Sequence, residues 1–168
     1  SQGAVRRDFI PIKDALAASF DRLDELHKRA GGLRGVPTGF AELDFKLAGM
    51  QDSNLIILAA RPGTGKTAMV LNIAQHIAVR EKLPVGIFSL EMSKEELVDR
   101  LLVAQADIDA WKLKTGKLSD DDFTRLSEAM GELAEAPIFI DDPPGMNILE
   151  MRTKARRLPL EHGVKLII

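Results

Sequence analysis

Residues 55–67 read LIILAARPGTGKT, an apolar run that leads into a glycine-rich loop. The loop spans residues 60–67 and has a small residue, four others and then Gly65-Lys66-Thr67. Glycines allow the backbone to curl so that successive N–H groups surround phosphate oxygens. Such a loop needs an apolar strand before it and a helix after it, and both are expected here. The stretch therefore predicts a nucleoside-triphosphate site.

The residue types in the loop predict how it holds a triphosphate and a metal ion. The Lys66 ammonium can reach the β- and γ-phosphates, and the Thr67 hydroxyl can bind Mg²⁺. The helix that begins near Thr67 directs its positive end at the same anion. Ala60 stands where the strict pattern has glycine, a position that mainly requires a small residue. The predicted phosphate-binding residues are Ala60, Arg61, Pro62, Gly63, Thr64, Gly65, Lys66, Thr67 and Ala68. The alternative for the loop is an incidental glycine-rich turn. Arg61 is predicted to be a solvated loop residue rather than one that shapes the loop or meets a neighbour.

Strands and helices alternate on either side of this loop. Apolar runs predict strands over 54–60, 85–90, 137–140 and 164–168. A helix is predicted over 67–80, and three more begin at Ser93, Ser119 and Asn147 and run to about residues 106, 134 and 158. Ser93 with Glu96 predicts a capping box. Continuous apolar strands separated by helices indicate an α/β fold, a parallel sheet with helices on both faces.

A separate amphipathic helix is predicted before this domain. Ile12, Leu16, Phe20, Leu23 and Leu26 recur at helical spacing, and Gly31-Gly32 follows as a stop. Residues 1–30 are therefore predicted to form a tail and a linker helix, and residues 31–168 one α/β domain. The apolar stripe can pack on its own domain or on a neighbouring subunit, and the pattern alone leaves both open.

Composition excludes several classes of protein. The 168 residues are 45% hydrophobic with a net charge of −2, which argues against a domain that coats nucleic acid through charge alone. The longest apolar run is far shorter than the roughly 20 residues of a membrane span, and no secretory leader is recognisable. There is no cysteine, and His27, His76 and His162 are not spaced as metal ligands.

Because the chain ends inside the last predicted strand, we expect it to be part of a longer protein.

Three acidic residues are candidates for the hydrolytic chemistry. Hydrolysis needs a group that activates water and a carboxylate that helps to hold the metal. Glu91 follows the strand after the loop helix, and Asp141 and Asp142 follow the next strand. The residue pattern alone favours Asp141 as the metal-holding acid; the alternative for both aspartates is the start of a loop, with a turn at Pro143-Pro144-Gly145. Ligands of open α/β sheets bind at such strand ends. Glu91 can equally be a solvated residue before the Ser93 cap.

The basic turn at Lys154, Arg156 and Arg157 is predicted to be a solvated face rather than a DNA contact.

From residue 35 onward, the chain strongly resembles the DnaB family of replicative helicases in their RecA-like motor domain. The resemblance rests on Gly35-Val36-Pro37-Thr38-Gly39-Phe40, on the loop with its Ala60, and on Phe88-Ser89-Leu90-Glu91-Met92-Ser93. It implies a RecA-like P-loop ATPase that uses ATP and Mg²⁺, with Lys66 and Glu91 as catalytic residues and Glu91 as the water-activating base. It also places the metal-holding Asp and the arginine finger beyond Ile168, which leaves Asp141 and Asp142 in a strand-end loop.

The resemblance further implies a cytoplasmic hexameric ring that moves 5′ to 3′ on single-stranded DNA at the replication fork. The helix over 12–26 would dock on the neighbouring subunit, and primase and a helicase loader would be partners. On this basis the chain alone is expected to hydrolyse ATP weakly or not at all. The alternatives are another RecA-like ATPase of recombination or repair and a nucleotide-switch helicase loader.

Overall fold

The computed structural model describes residues 9–28 and 35–168. The chain forms two units, residues 1–33 and residues 34–168. In the first unit, helix α1 spans Ile12–Lys28, and the amides of Asp14 and Ala15 donate to the Pro11 carbonyl at its start. The predicted helix is confirmed and runs two residues past Leu26. The Gly31-Gly32 stop, most of the predicted tail and the predicted domain boundary lie outside the described residues.

The second unit opens with a short segment that the sequence did not predict. Helix α2 spans Ala41–Leu47, and Val36 and Met50 form an antiparallel bridge. The buried Asp44 carboxylate accepts hydrogen bonds from the amide and hydroxyl of Thr38, both at 2.7 Å. Burial alone would raise the pKa of Asp44, but these hydrogen bonds outweigh it and the pKa lies below its usual value.

The remaining elements follow the predicted alternation. Helix α3, which spans Lys66–Gln75, continues as a π-helical turn at His76–Arg80. The helices are α3 at Lys66–Gln75, α4 at Lys94–Ala106, α5 at Ala110–Thr115, α6 at Asp120–Glu135 and α7 at Ile148–His162. The strands are β1 at Val85–Phe88, β2 at Ile138–Asp141 and β3 at Leu166–Ile167.

The three strands form a parallel sheet in the order β2-β1-β3. Val85 pairs with Ile138 on one side and with Leu166 on the other. Alternate residues of β1 point to opposite faces of the sheet. Val85 and Ile87 are buried in a core formed with α3, its π-helical turn and α4, through Leu71, Ala74, Ile77, Leu97 and Leu101. Gly86 lies against α7, where an added Cβ would come within 2.7 Å of Leu158. Both faces are therefore covered.

The predicted strand at Asn54–Ala60 is wrong. No strand is assigned to these residues, and Leu55 and Ile57 are 88% and 80% exposed. A cavity of about 320 Å³ separates part of this segment from β3; its lining includes Ile56, Ile57 and Leu58 on one side and Leu166, Ile167 and Ile168 on the other. An apolar run becomes a strand only when a neighbour supplies ladder hydrogen bonds. Within residues 9–28 and 35–168, β3 is paired with β1 only, so the segment 54–60 forms no ladder with β3.

Helix caps were the most reliable local predictors. Ser93 accepts the Glu96 amide at the start of α4, which is one of the two bonds of the predicted capping box. Ser119 with Asp122 forms a full capping box at α6. Asn147 caps α7, which includes Pro159 and runs four residues past the predicted end at Leu158. Helix α5, with only 6 residues, was not predicted from the sequence.

Within the described residues, no helix is long and apolar enough to cross a bilayer.

Candidate functional site

The phosphate loop is a turn held by its own residues. The Thr64 amide and hydroxyl both donate to the Arg61 carbonyl, at 3.3 and 2.6 Å. Gly63 and Gly65 have φ angles of 76° and 92°, values that L-residues rarely adopt. A Cβ added at either glycine would meet no atom within 4 Å. Glycine is thus required here for backbone conformation and not for lack of space.

Helix α3 leaves its first amides free to bind an anion. Gly65 is the N-cap residue and provides no side-chain cap. The first helical hydrogen bond runs from the Met69 amide to the Gly65 carbonyl, at 2.9 Å. The amides of Lys66, Thr67 and Ala68 therefore precede any intrahelical partner. Together with the helix dipole, they form an anion-binding end.

One cavity joins the loop to Glu91. It has a volume of about 350 Å³, and among its lining residues are Ala60, Arg61, Pro62, Gly63, Gly65, Lys66, Thr67, Ala68, Glu91 and Arg100. A second cavity of about 470 Å³ shares Lys66, Thr67 and Glu91 with it. Within the described residues, Lys66 forms no ion pair and the Thr67 hydroxyl no hydrogen bond. The structure thus brings together all the predicted phosphate-binding residues except Thr64, whose side chain braces the turn.

Glu91 lies on a bend between β1 and α4. The Ser89 hydroxyl donates to the Met92 carbonyl at 2.6 Å and accepts the Met92 amide at 3.2 Å. Glu91 itself is exposed. It reaches the phosphate-loop cavity because β1 ends at the same edge of the sheet toward which the loop opens.

Asp141 and Asp142 lie outside this cavity. Asp141 ends β2, and its carboxylate pairs with the Lys154 ammonium at 2.6 Å. Asp142 accepts the Lys94 amide at 2.7 Å and pairs with the Lys94 ammonium at 3.5 Å. The hydrogen bond from the Lys94 amide is the main cause that lowers the pKa of Asp142. Both aspartates thus lie at the end of β2, as predicted; that neither belongs to the nucleotide site stays a prediction.

Comparison with known proteins gives the family. The model of the DnaB-like helicase C terminal domain matches residues 35–168. The chain belongs to the DnaB-like helicase C-terminal domain family. This DnaB-like domain is 49% identical over 160 residues to the replicative DNA helicase DnaC of Bacillus subtilis (strain 168), and equally identical to the replicative DNA helicase DnaB of Geobacillus stearothermophilus. Each alignment covers 95% of this chain and 35% of the relative, so the chain spans about a third of their length.

Solved structures establish the fold class. One is an ATPase domain that is 32% identical, with a TM-score of 0.83, and covers 95% of this chain and 56% of its own. Another is a DnaB-like replicative helicase solved for its interactions with primase; it is 31% identical, with a TM-score of 0.82, covering 98% of this chain and 39% of that chain. The DnaB-like domain therefore has the predicted RecA-like fold, a parallel sheet flanked by helices.

Arg100 was not among the site residues predicted from the sequence. This residue lies on α4, two turns after the helix begins, and lines the phosphate-loop cavity of the DnaB-like domain together with Glu91. No ion pair involves it in the part of the chain that the structure describes. An arginine on an exposed helix face belongs to no recognisable motif, and only the placement of α4 beside the loop reveals it.

The basic turn at Lys154, Arg156 and Arg157 lies on α7. Within this turn, Arg157 pairs with Glu161 at 2.8 Å.

Proposed function

We propose that the protein is an ATP-dependent replicative DNA helicase and that this domain holds one half of its ATPase site. One observation carries the proposal: a single cavity is lined by the phosphate loop, by Lys66 and Thr67, and by the acidic residue Glu91. A phosphate cradle and a water-activating carboxylate in one space are what triphosphate hydrolysis requires. The family match supplies the class of motor.

Each of these residues has a proposed role. The free amides at the start of α3 and the Lys66 ammonium bind and orient the phosphates. Glu91 accepts a proton from the attacking water. The half-buried Thr67 hydroxyl is available within the described residues, which fits a ligand of Mg²⁺. The metal, when bound, supplies positive charge against the phosphate oxygens. Arg100 is a further cation facing the same space.

The assembly and partners of the whole protein are also proposed. We infer a hexameric ring in the cytoplasm that moves 5′ to 3′ on single-stranded DNA, and a chain that alone hydrolyses ATP weakly or not at all. The names of the relatives support replication as the process. A solved DnaB-like helicase interacts with primase, which supports a primase partner. A helicase loader remains a proposal from the family resemblance.

Single-stranded DNA is expected to stimulate ATP turnover by the full-length protein. A motor couples hydrolysis to its track, so turnover should rise several-fold with a saturating oligonucleotide, and the protein should displace a strand from a forked duplex that carries a free 5′ arm. Phosphate release and strand separation are measured on the same preparation. Stimulated turnover with no displacement on any fork would favour a recombination or repair ATPase, and nucleotide binding without turnover would favour a switch. Either result would contradict the helicase proposal.

Helix α1 is proposed to dock on a neighbouring subunit. Ile12, Leu16, Phe20 and Leu23 share one face of α1, since a helix turns by about 100° per residue. We expect Phe20→Lys in the full-length protein to weaken ring assembly at least about 10-fold, because burying a phenylalanine contributes roughly 1.5–3 kcal/mol. The measurement is the molar mass in solution over a dilution series. Ala18→Lys adds the same charge on the opposite face and should leave the mass unchanged. A ring that survives dilution equally in both variants would exclude this docking.

A further inference from the structure

The bend that carries Glu91 is held at both ends by the end of β2. At its start, the Ser89 amide donates to the Asp141 carbonyl at 2.8 Å. At its end, the Lys94 amide donates to the Asp142 carboxylate at 2.7 Å. Asp142 and Lys94 are 48 residues apart in the chain. Two consecutive residues of one strand end thus fix the bend between β1 and α4.

The Asp142 carboxylate completes the cap of α4. A helix begins with amides that have no intrahelical partner. The hydroxyl of Ser93, the N-cap residue, accepts the Glu96 amide and not the Lys94 amide. The Lys94 amide is accepted by Asp142 instead, and the Lys94 ammonium lies 3.5 Å from the second carboxylate oxygen. A negative charge at a helix N-terminus is also stabilised by the helix dipole. This bond therefore sets where α4 begins, three residues after Glu91.

We propose that Asp142 is a positioning residue for Glu91, acting through the Lys94 amide at the start of α4. The inference rests on the proposed role of Glu91 as the water-activating base. Asp142 does not line the phosphate-loop cavity, so its effect passes through the backbone of the bend. Displacing a catalytic group by about 1 Å can cost about 100-fold in rate. The ion pair between Asp142 and the Lys94 ammonium contributes less to this positioning than the bond to the Lys94 amide, because a partly exposed ion pair adds little stability by itself.

The test compares Asp142 with its neighbour in the full-length protein. We expect Asp142→Ala to lower kcat for ATP hydrolysis about 10- to 100-fold while the Kd for ATP changes less than about two-fold. Asp142→Asn, which keeps an oxygen acceptor of the same shape, should lose less. Asp141→Asn is the control matched to Asp142→Asn: it removes a carboxylate from the same strand end, one that pairs with Lys154 on α7. It keeps the Asp141 backbone carbonyl that accepts the Ser89 amide, so kcat should be unchanged.

A double-mutant cycle separates positioning from general stabilisation. If Asp142 acts through Glu91, then Asp142→Asn should cause no further loss of kcat in a Glu91→Gln background. Additive losses would mean a purely structural role and would overturn the proposal. Hydrogen exchange gives a second readout, which needs no turnover: the Lys94 amide should exchange faster in Asp142→Ala than in Asp141→Asn. Equal exchange would also overturn the proposal.

The outcomes distinguish this inference from the proposed function. If Glu91→Gln loses turnover but Asp142→Ala and Asp142→Asn keep the wild-type kcat, the positioning role is wrong and the helicase proposal stands. If Glu91→Gln itself keeps the wild-type kcat, the role of Glu91 is wrong and the positioning role falls with it. Should the alanine variant fail to fold, the asparagine variant and the cycle still decide the question.

Discussion

Lys66→Ala is expected to lower kcat/KM for ATP by at least about 1000-fold and to weaken ATP binding at least about 10-fold. Lys66 is the first residue of α3 and lines both cavities at the phosphate loop. In the described residues its ammonium is not engaged by any carboxylate, so its charge is available to a phosphate. Turnover is measured by phosphate release and binding by titration with a fluorescent ATP analogue, both in the full-length protein.

Lys46→Ala is the control for that experiment. Lys46 is an exposed lysine in the last turn of α2 and is not among the residues that line the phosphate-loop cavity. Its replacement removes the same charge and should leave both kcat/KM and the binding constant within about two-fold of wild type, as for most surface substitutions. If Lys66→Ala behaved like Lys46→Ala, the loop would be an incidental glycine-rich turn.

Glu91→Gln is expected to separate ATP binding from ATP hydrolysis. Glutamine keeps the size and a hydrogen-bonding oxygen of the side chain but cannot accept the proton of the attacking water. General-base catalysis contributes about 100- to 10,000-fold, so kcat should fall by that factor. The Kd for ATP should change little, because the phosphates are held by the loop and by the start of α3.

The control for Glu91→Gln lies in the same stretch of chain. Glu95 is exposed in the first turn of α4 and does not line the phosphate-loop cavity. Glu95→Gln therefore makes an identical chemical change four residues away and should retain the wild-type kcat. Wild-type hydrolysis by Glu91→Gln would reject Glu91 as the base and would direct attention to other groups at the cavity.

Local patterns predicted the elements that local forces determine. Helices α4, α6 and α7 begin directly after the N-cap residues Ser93, Ser119 and Asn147, because each cap bonds to an amide only three residues away. The strands β1, β2 and β3 were recognised from short apolar runs, although the structure shortens β1 and β3 and shifts β2 by one residue. The phosphate loop was also predictable, since its glycines, Lys66 and Thr67 are consecutive.

Features that depend on distant residues could not be predicted. The segment 54–60 has the most apolar run in the chain, yet it forms no strand, because ladder hydrogen bonds depend on a neighbour and not on composition. Arg100 reaches the cavity only through the placement of α4. The bond from the Lys94 amide to the Asp142 carboxylate joins the start of α4 to the end of β2. Sequence placed Asp142 outside the nucleotide site but gave no indication of its partner.

The open space around Gly65 changes what a substitution there would mean. Its surroundings would admit another carbon atom, so a ranking by side-chain size would treat alanine as harmless. Its φ of 92°, however, belongs to the mirror-image half of backbone space, and an L-residue there is strained by about 1–3 kcal/mol. The backbone conformation at Gly65 disfavours every L-residue, whatever the size of its side chain. The first carbon added therefore carries most of the penalty, and in a chain of L-residues only the achiral residue avoids it.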